Sequence, residues 1–407
     1  MKRIILLSIL MLWTAISATA QKNSVDEQPY RRSSLYSILV SHTQAQYSKD
    51  IEEVFSSIPI PEKFDNHDLP IKIVTTTQKK IKEDAISGFL NKNNVARHVV
   101  GRWFNRDQTT GECNMNLIME RGLYDASYYD IELAKMSQRG LSLLSDAGED
   151  LLGNTFVLVN DIRYYDRNKT AKGFAAALQI IGAVASIAMQ NSDLADLGKN
   201  LGDIVSTIKG FGVTVTSYLY RLDWDDQTAE NFYNNYYIAE GDTNAEKLQA
   251  FNNSRAFTLS YVGSQSVKSG NISMKGVDTN GLSQMVRKVC TRAIDESIVA
   301  LQRNYDEFKI KTPIYSVSPT ITAKVGLKEG ISERSKYEVL EQYSDKNGKT
   351  AYRRVGIIQP VKGKIWDNRY MALEEGASGS KLDATTFRKV SGGDFYPGML
   401  IREIKAN

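Results

Sequence analysis

Apolar and polar positions follow two spacings along this chain, and the spacing predicts where helices and strands lie. Apolar residues three and four positions apart indicate helices with one buried face, and alternation at every second residue indicates strands. Before residue 313 the pattern predicts helices at 34–55, 78–91, 127–152, 227–237 and 282–308, and strands at 69–76, 155–160, 212–222 and 257–262. Residues 95–104 and 116–120 fit either a strand or a short helix.

This mixture of elements predicts an α/β (or α+β) main domain over residues 69–312. Residues 21–68 are more polar, and Pro59 and Pro61 end the helix predicted there. The sequence therefore predicts that 21–68 form an N-terminal arm packed on the main domain.

Residues 173–189 (GFAAALQIIGAVASIAM) are apolar on every face of a helix except at Gln179 and Ser186. Such a helix must be buried. Three burials are open: a core crossover helix, a subunit interface, and contact with or insertion into a membrane, for which seventeen residues are at the short limit of a span. The core crossover is favoured; with the strands 155–160 and 212–222 it makes a βαβ-like unit if those two strands pair in parallel. Gly182, Ala183 and Ser186 are the candidate contact residues, because small side chains let another helix approach closely.

After residue 312 the pattern changes to short strands. Pro313 and Pro319 flank a segment that predicts an extended linker, 313–319. Asn347-Gly348 is a strong hairpin signal between strands predicted at 336–342 and 350–358. Further strands are predicted at 364–373, 385–390 and 399–404. Residues 320–407 therefore predict a small all-β barrel domain.

Four segments of this region resemble one known family. They are 323–330 (AKVGLKEG), 337–339 (YEV), 355–358 (VGII) and 395–401 (FYPGMLI). Together they look like the small, SH3-like C-terminal β-barrel of flagellar-assembly T-type envelope proteins, although Met399 stands where that family has an acidic residue. The main domain is loosely similar to the α/β domains of curli-secretion-type and TolB-type proteins, and the whole chain is similar to exported envelope proteins of Bacteroidetes type. The resemblance implies assembly or scaffolding work at the envelope and supplies no catalytic residue.

The first twenty-one residues have the three parts of a secretory signal. Lys2 and Arg3 precede an apolar run at 4–16, and Ala18-Thr19-Ala20 suits cleavage before Gln21. No cysteine follows the run to carry a lipid. We therefore expect an exported protein that is periplasmic or peripherally associated with the outer membrane.

The charge of the chain excludes a nucleic-acid binder. The formal net charge of +4 falls to +2 when residues 1–20 are removed, since they contain two basic residues and no acidic one. The remaining basic residues are interleaved with acidic ones, unlike the basic patch that nucleic acid requires. With 42% hydrophobic residues, the chain can bury a sizeable core.

Cys113 and Cys290 are the only two cysteines. An exported protein could join them in a disulfide, but Cys290 lies on the apolar face of helix 282–308, which favours a buried free thiol. Cys113 could act as a nucleophile only with a partner such as His98. A structural role is the favoured interpretation of Cys113.

The search for further chemistry finds no catalytic, phosphate-binding or dinucleotide-binding motif. His42, His67 and His98 occur in separate contexts, so we expect no metal site and no cofactor. The carboxylate pairs Asp146/Asp150 and Asp225/Asp226 fit solvated helix and turn charges. The twenty-one tyrosines, Tyr233, Tyr236 and Tyr237 among them, fit either an adhesive surface or the packed faces of helices and strands, and the second is favoured.

These observations together predict a non-enzymatic exported envelope protein. We expect it to act in assembly or scaffolding, through contacts with envelope proteins or through self-association. The alternative is a hydrolase of envelope glycans or peptides, and the third interpretation is a membrane-active or pore-forming protein that uses 173–189.

Overall fold

The computed structural model contains one mixed β-sheet with helices on both faces, followed by a closed β-barrel. The mixed α/β content and the C-terminal barrel that the sequence predicts are therefore confirmed. The structure describes residues 33–45, 47–58, 64–65, 69, 71–78, 80–125, 151–166, 211–270, 281–309, 311–344, 350–376 and 378–404.

The sheet is built around its first strand. Its strands are β1 (Ser33–His42), β2 (Phe64–Asp65), β3 (Ile73–Thr76), β4 (Phe156–Asp166), β5 (Phe211–Leu222) and β6 (Leu259–Ser269). β1 pairs in parallel with β4 on one side and with the short β2 and β3 on the other. β4, β5 and β6 pair antiparallel in that order. β1 therefore lies inside the sheet.

The prediction of a helix from residue 34 is wrong for β1, which comes from the segment predicted as the N-terminal arm and lies inside the sheet. Leu35 and Leu39 are buried on one face of the sheet, and Tyr36, Ile38 and Val40 are buried on the other. A strand covered on both faces has apolar residues at most positions, which include positions three and four apart. This imitates helical spacing, and the helix begins only after the strand has ended.

Helices cover both faces of the sheet. They are α1 (Ser48–Ser57), α2 (Glu83–Lys92), α3 (Val95–Trp103), α4 (Asn116–Asp125), α5 (Asp226–Asn235), α6 (Ala245–Asn253) and α7 (Gly281–Asn304). α1 and α7 pack on one face, and residues of α2 to α6 contribute to the core on the other. Both segments that fitted either a strand or a helix, 95–104 and 116–120, are helical. The helix predicted at 127–152 lies almost entirely outside the described residues.

β4 and β5 are not parallel, as a βαβ-like unit requires. They pair antiparallel from Phe156 opposite Arg221 to Asp166 opposite Phe211, so the predicted parallel βαβ-like unit is wrong. Antiparallel neighbours need no crossover helix. The apolar stretch 173–189, with Gly182, Ala183 and Ser186, lies outside the described residues. None of the helices that the described residues form is long and apolar enough to span a membrane.

The C-terminal strands close into a barrel. They are β7 (Thr312–Ser316), β8 (Ile321–Ala323), β9 (Tyr337–Ser344), β10 (Thr350–Pro360), β11 (Thr385–Gly392) and β12 (Leu400–Glu403), in the order β10-β11-β8-β7-β12-β9. β9 and β10 form the predicted hairpin, with Ser344 opposite Thr350.

Two details of this region differ from the sequence prediction. The first half of the predicted linker 313–319 forms β7, whose Ile314 belongs to the barrel core. Pro313 is compatible with a strand of only five residues, because proline is tolerated near strand ends. The strand predicted at 364–373 is a series of turns with one isolated bridge between Gly326 and Trp366.

The position of β7 predicts where an independent barrel must begin. A fragment of residues 309–407 should fold alone, whereas a fragment of 320–407 should not, because it lacks the strand that pairs with both β8 and β12. Amide NMR spectra should be dispersed for the longer fragment and collapsed for the shorter one. Dispersed spectra from both would show that β7 is dispensable.

Candidate functional site

Helix α7 joins the sheet to the barrel through buried charges. Lys288 Nζ lies 2.5 Å from Glu375 Oε1, and Arg292 Nη1 lies 3.2 Å from the same oxygen. Arg292 also donates hydrogen bonds to the backbone carbonyl of Tyr370, at 3.1 Å from Nε and 2.6 Å from Nη2. Because the Lys288 side chain is fully buried, the carboxylate of the barrel compensates a charge that water does not reach.

A second attachment lies near the C-terminal end of α7. Arg303 Nη2 donates to the carbonyl oxygen of Gly330 at 2.6 Å, and its guanidinium lies 3.2 Å from the carboxylate of Glu403. α7 therefore holds the barrel at two places along its length, with its apolar face packed on the sheet.

A cleft of about 400 Å³ lies between these attachments and the end of the sheet. It is lined by Tyr165, Lys268, Ser269, Gly270, Arg292, Asp295, Glu296, Leu327, Lys328 and Arg369. The sheet, α7 and the barrel each contribute side chains, so the cleft exists only while the barrel is docked.

Two carboxyl groups from consecutive positions of α7 face this cleft. The pKa of Asp295 is raised to about 7, chiefly by burial. Glu329 and Glu296 contribute to this rise, and Lys328 and Arg292 oppose it. Burial also raises the pKa of Glu296, against the effect of Arg292. A carboxyl group that titrates near neutral pH can donate or accept a proton in a reaction.

The raised pKa of Asp295 predicts a pH-dependent loss of stability. The folded protein holds this proton to a higher pH than the unfolded chain, so Asp295 lowers the free energy of unfolding as pH rises from about 4 to about 7, and the deficit remains above that. In Asp295→Asn we expect the loss of stability between pH 5 and pH 8 to be smaller by about 1–2 kcal/mol.

Urea unfolding at a series of pH values measures this difference. Asp394→Asn is the matched control, since Asp394 is exposed in the loop between β11 and β12 and does not line the cleft. Parallel stability profiles for wild type and Asp295→Asn would contradict the prediction.

A separate polar cluster lies inside the sheet. Asp161 of β4 is fully buried; its Oδ1 lies 2.7 Å from His42 Nε2, and Arg163 binds both of its oxygens, at 2.9 and 2.5 Å. His42 Nδ1 lies 2.8 Å from the carbonyl oxygen of Gln78. The two ring nitrogens of His42 therefore both face acceptor oxygens. His42 and Arg163 together hold the buried carboxylate of Asp161 inside the sheet.

Both cysteine side chains are buried, at 1% exposure each. Both are free in the structure, so no disulfide joins them. Burial raises the pKa of Cys290 to about 12, which suppresses its thiolate. The contacts recorded for Cys113 are with Arg106 Nη1, at 3.4 Å, and with the carbonyl of Gly111, and His98 is not among them.

The three candidate tyrosines of α5 and its C-terminal end lie in an aromatic cluster. Tyr233, Tyr236 and Tyr237 are partly buried and pack against the core around Phe232. Tyr236 also accepts a hydrogen bond at its hydroxyl from Ser254 Oγ, at 3.1 Å. These three tyrosines therefore fill the space between α5, α6 and the sheet.

The acidic pairs considered from sequence do not form a site in the described residues. Asp225 caps α5 by accepting a hydrogen bond from the Thr228 backbone N–H at 2.8 Å, and that bond lowers the pKa of its carboxyl. Asp146 and Asp150 lie outside the described residues. Within the described part of the chain, no group of three or more His, Cys, Asp or Glu side chains could hold a metal ion.

The barrel carries an exposed polar and aromatic surface, here called the tyrosine patch: Tyr343, Tyr396, Glu341 and Arg353. Tyr343 is 45% exposed and Tyr396 51%. Glu341 and Arg353 are opposite each other in β9 and β10, with 2.6 Å between Oε2 and Nη2. The Tyr396 hydroxyl lies 3.4 Å from Glu341 Oε1, and Tyr343 follows Glu341 by two residues on the same face of β9.

The loop that carries Tyr396 is held in place by its neighbour. The Phe395 ring covers Gly356 so closely that a Cβ there would collide with it, and Lys389 Nζ lies 5.0 Å from the ring centroid. Glycine at position 356 therefore allows Phe395 to anchor the loop, and Tyr396 projects from a fixed base.

Sequence reasoning missed the cleft and the tyrosine patch. Asp295 and Glu296 look like solvated charges on the polar side of a helix, and only their distant partners distinguish them. One signal was present: Lys288, Arg292 and Asp295 recur at helical spacing beside the apolar face of α7, as expected of a helix with a second buried side.

No protein-family model matches this chain, and no curated protein matches it. Interpretation of its function therefore depends on the geometry of its own residues.

Proposed function

We propose that this protein is exported to the bacterial envelope and acts there without catalysis, in assembly or scaffolding, by binding protein partners or copies of itself. The observation that carries the proposal is the tyrosine patch. Tyrosine and arginine are enriched in the energetic centres of protein interfaces, because they bury a large area and keep a polar tip. Tyr343 and Tyr396 present such tips beside the Glu341–Arg353 pair.

The attachment of the barrel to α7 supports the same proposal. The Lys288–Glu375 and Arg303–Glu403 pairs hold the barrel against the helix that packs on the sheet. A surface that is already ordered loses little conformational freedom when a partner binds. The tyrosine patch therefore has the rigid support that an assembly surface needs.

Export is proposed from the N-terminal segment, whose basic residues, apolar run and small-residue site have the pattern of a cleaved signal. We also propose that the barrel is SH3-like and related to that of the flagellar-assembly T-type proteins. Its closure by short strands supports this, as does the AKVGLKEG segment, which spans the end of β8 and the turn Leu327–Glu329.

Photocrosslinking tests the tyrosine patch directly. A photoreactive phenylalanine analogue at position 343 of the full-length protein should give discrete adducts with envelope proteins or with a second copy. Adding Tyr396→Ala should reduce these adducts at least five-fold and leave the melting temperature unchanged, because Tyr396 is exposed. The matched control places the analogue at position 315, where Tyr315 is 46% exposed on β7 outside the patch.

Equal adducts from positions 343 and 315, or adducts that Tyr396→Ala does not reduce, would refute the patch as the contact surface. Export is tested in the same cells: the protein should fractionate with the envelope and its N-terminus should lie near Gln21. An intact Met1 in the mature protein would refute export.

A second candidate function follows from the cleft of Asp295 and Glu296. A carboxyl with pKa about 7 beside a second carboxyl suits the general acid of an envelope glycan hydrolase. Purified full-length protein should then release reducing ends from peptidoglycan sacculi, and Asp295→Asn should lower that rate at least 100-fold while Asp394→Asn leaves it unchanged. Absence of release by the wild-type protein would exclude this candidate.

A further inference from the structure

A second and larger cavity lies on the other side of the α7–barrel junction. It is a groove of about 800 Å³ between the C-terminal half of α7 and strands β9 and β12 of the barrel. Its walls come from α7, the turn Leu327–Glu329, the 332–337 segment and the last described residues of the chain. The volume lies within the range of about 300–1,000 Å³ that ligand pockets occupy.

One wall of the groove is formed by Tyr337, whose hydroxyl makes no hydrogen bond with the described residues. Tyr337 is only 4% exposed, and its ring packs edge-on against Phe387 in the barrel core. The charges that act on its hydroxyl are those of Glu403, Glu329 and Arg303, which all line the groove. The hydroxyl therefore faces the groove, where water or a ligand can accept its hydrogen.

The lining of the groove carries more cations than carboxylates. Its described lining includes five cations, Arg303, Lys309, Arg334, Lys336 and Arg402, and two carboxylates, Glu329 and Glu403. Three of the cations are paired within the protein: Arg303 with Glu403, Lys309 with Asp306, and Arg402 with Glu338.

Arg334 and Lys336 are different from those three. Both side chains are exposed, and no ion pair is recorded for either within the described residues. Arg334 and Lys336 lie three residues and one residue before Tyr337 in the chain. Two cations without an ion-pair partner in the described part of the chain and the Tyr337 hydroxyl therefore line the same groove.

We propose that this groove binds an extended acidic peptide segment of a partner protein. Carboxylate side chains of the peptide pair with Arg334 and Lys336, and one peptide acceptor receives the hydrogen of the Tyr337 hydroxyl. Val299 and Ile404 provide apolar lining between the polar groups, which suits apolar side chains that alternate with the acidic ones.

The lining favours a carboxylate peptide over other anions. Glu329 and Glu403 repel a doubly charged phosphate more strongly than a single carboxylate. Among the described lining residues the one aromatic ring is that of Tyr337, which is buried, so the groove offers no exposed ring for a nucleic-acid base to stack on. This inference rests on the proposed function only in taking the occupant to be a protein.

Fluorescence anisotropy on the full-length protein tests the groove. The probe is a labelled decapeptide that alternates Glu with Val, and the same peptide with Gln in place of Glu is the uncharged comparison. We expect binding of the Glu peptide alone, weakened at least ten-fold in Arg334→Ala/Lys336→Ala and about three- to ten-fold in Tyr337→Phe, which removes one hydroxyl and keeps the core ring. The control is Lys362→Ala/Lys364→Ala, which removes two exposed barrel cations outside the groove.

Four results would overturn the inference. The first two are no binding of the Glu peptide and equal weakening of binding by the control pair. The third is tighter binding of a polyuronate glycan than of the peptide, and the fourth is a change of oligomeric state in Arg334→Ala/Lys336→Ala when the wild type binds no peptide. The outcome is distinguishable from failure of the proposed function. Position 343 crosslinks report on the tyrosine patch, and variants of the groove should leave those crosslinks unchanged.

Discussion

The buried charge of Lys288 requires a carboxylate, and the carboxylate that satisfies it, Glu375, belongs to the barrel. A charge removed from water without a partner costs several kcal/mol, so the sheet domain is stable in this form only with the barrel docked. The cleft and the groove described above both follow from that docking. The cleft at Asp295 and the groove at Tyr337 are each formed by α7 on one side and by the barrel on the other.

The elements that could be predicted from sequence are those whose environment is uniform along their length. α7 has one apolar face throughout, and the β9–β10 hairpin has alternating residues around an Asn-Gly turn signal. β1 could not be distinguished from a helix, because it is covered on both faces and only its partners reveal this. The parallel pairing expected of β4 and β5 failed for a similar reason, since strand direction is set by neighbours that local pattern does not encode.

The candidate sites were less predictable than the fold, because each depends on residues far apart in the chain. His42 of β1 contacts Asp161 of the neighbouring strand β4. Glu341 of β9 contacts Tyr396 of the loop between β11 and β12. Sequence directed attention to Tyr233, Tyr236 and Tyr237, which pack into an aromatic core cluster, while the exposed tyrosines lie on strands and loops of the barrel. A cluster of tyrosines in the sequence therefore does not predict that their side chains are exposed.

The pairing of β4 with β5 continues to Asp166 opposite Phe211, so the last residue of β4 and the first residue of β5 lie side by side at the end of the sheet. In evolutionary terms this is an insertion point: the two strand ends could be closed by a tight turn with no change in the register of the sheet. The entropic cost of closing a loop grows only slowly with its length. The register of β4 and β5 is therefore set by their own pairing and does not depend on how long the connection between them is.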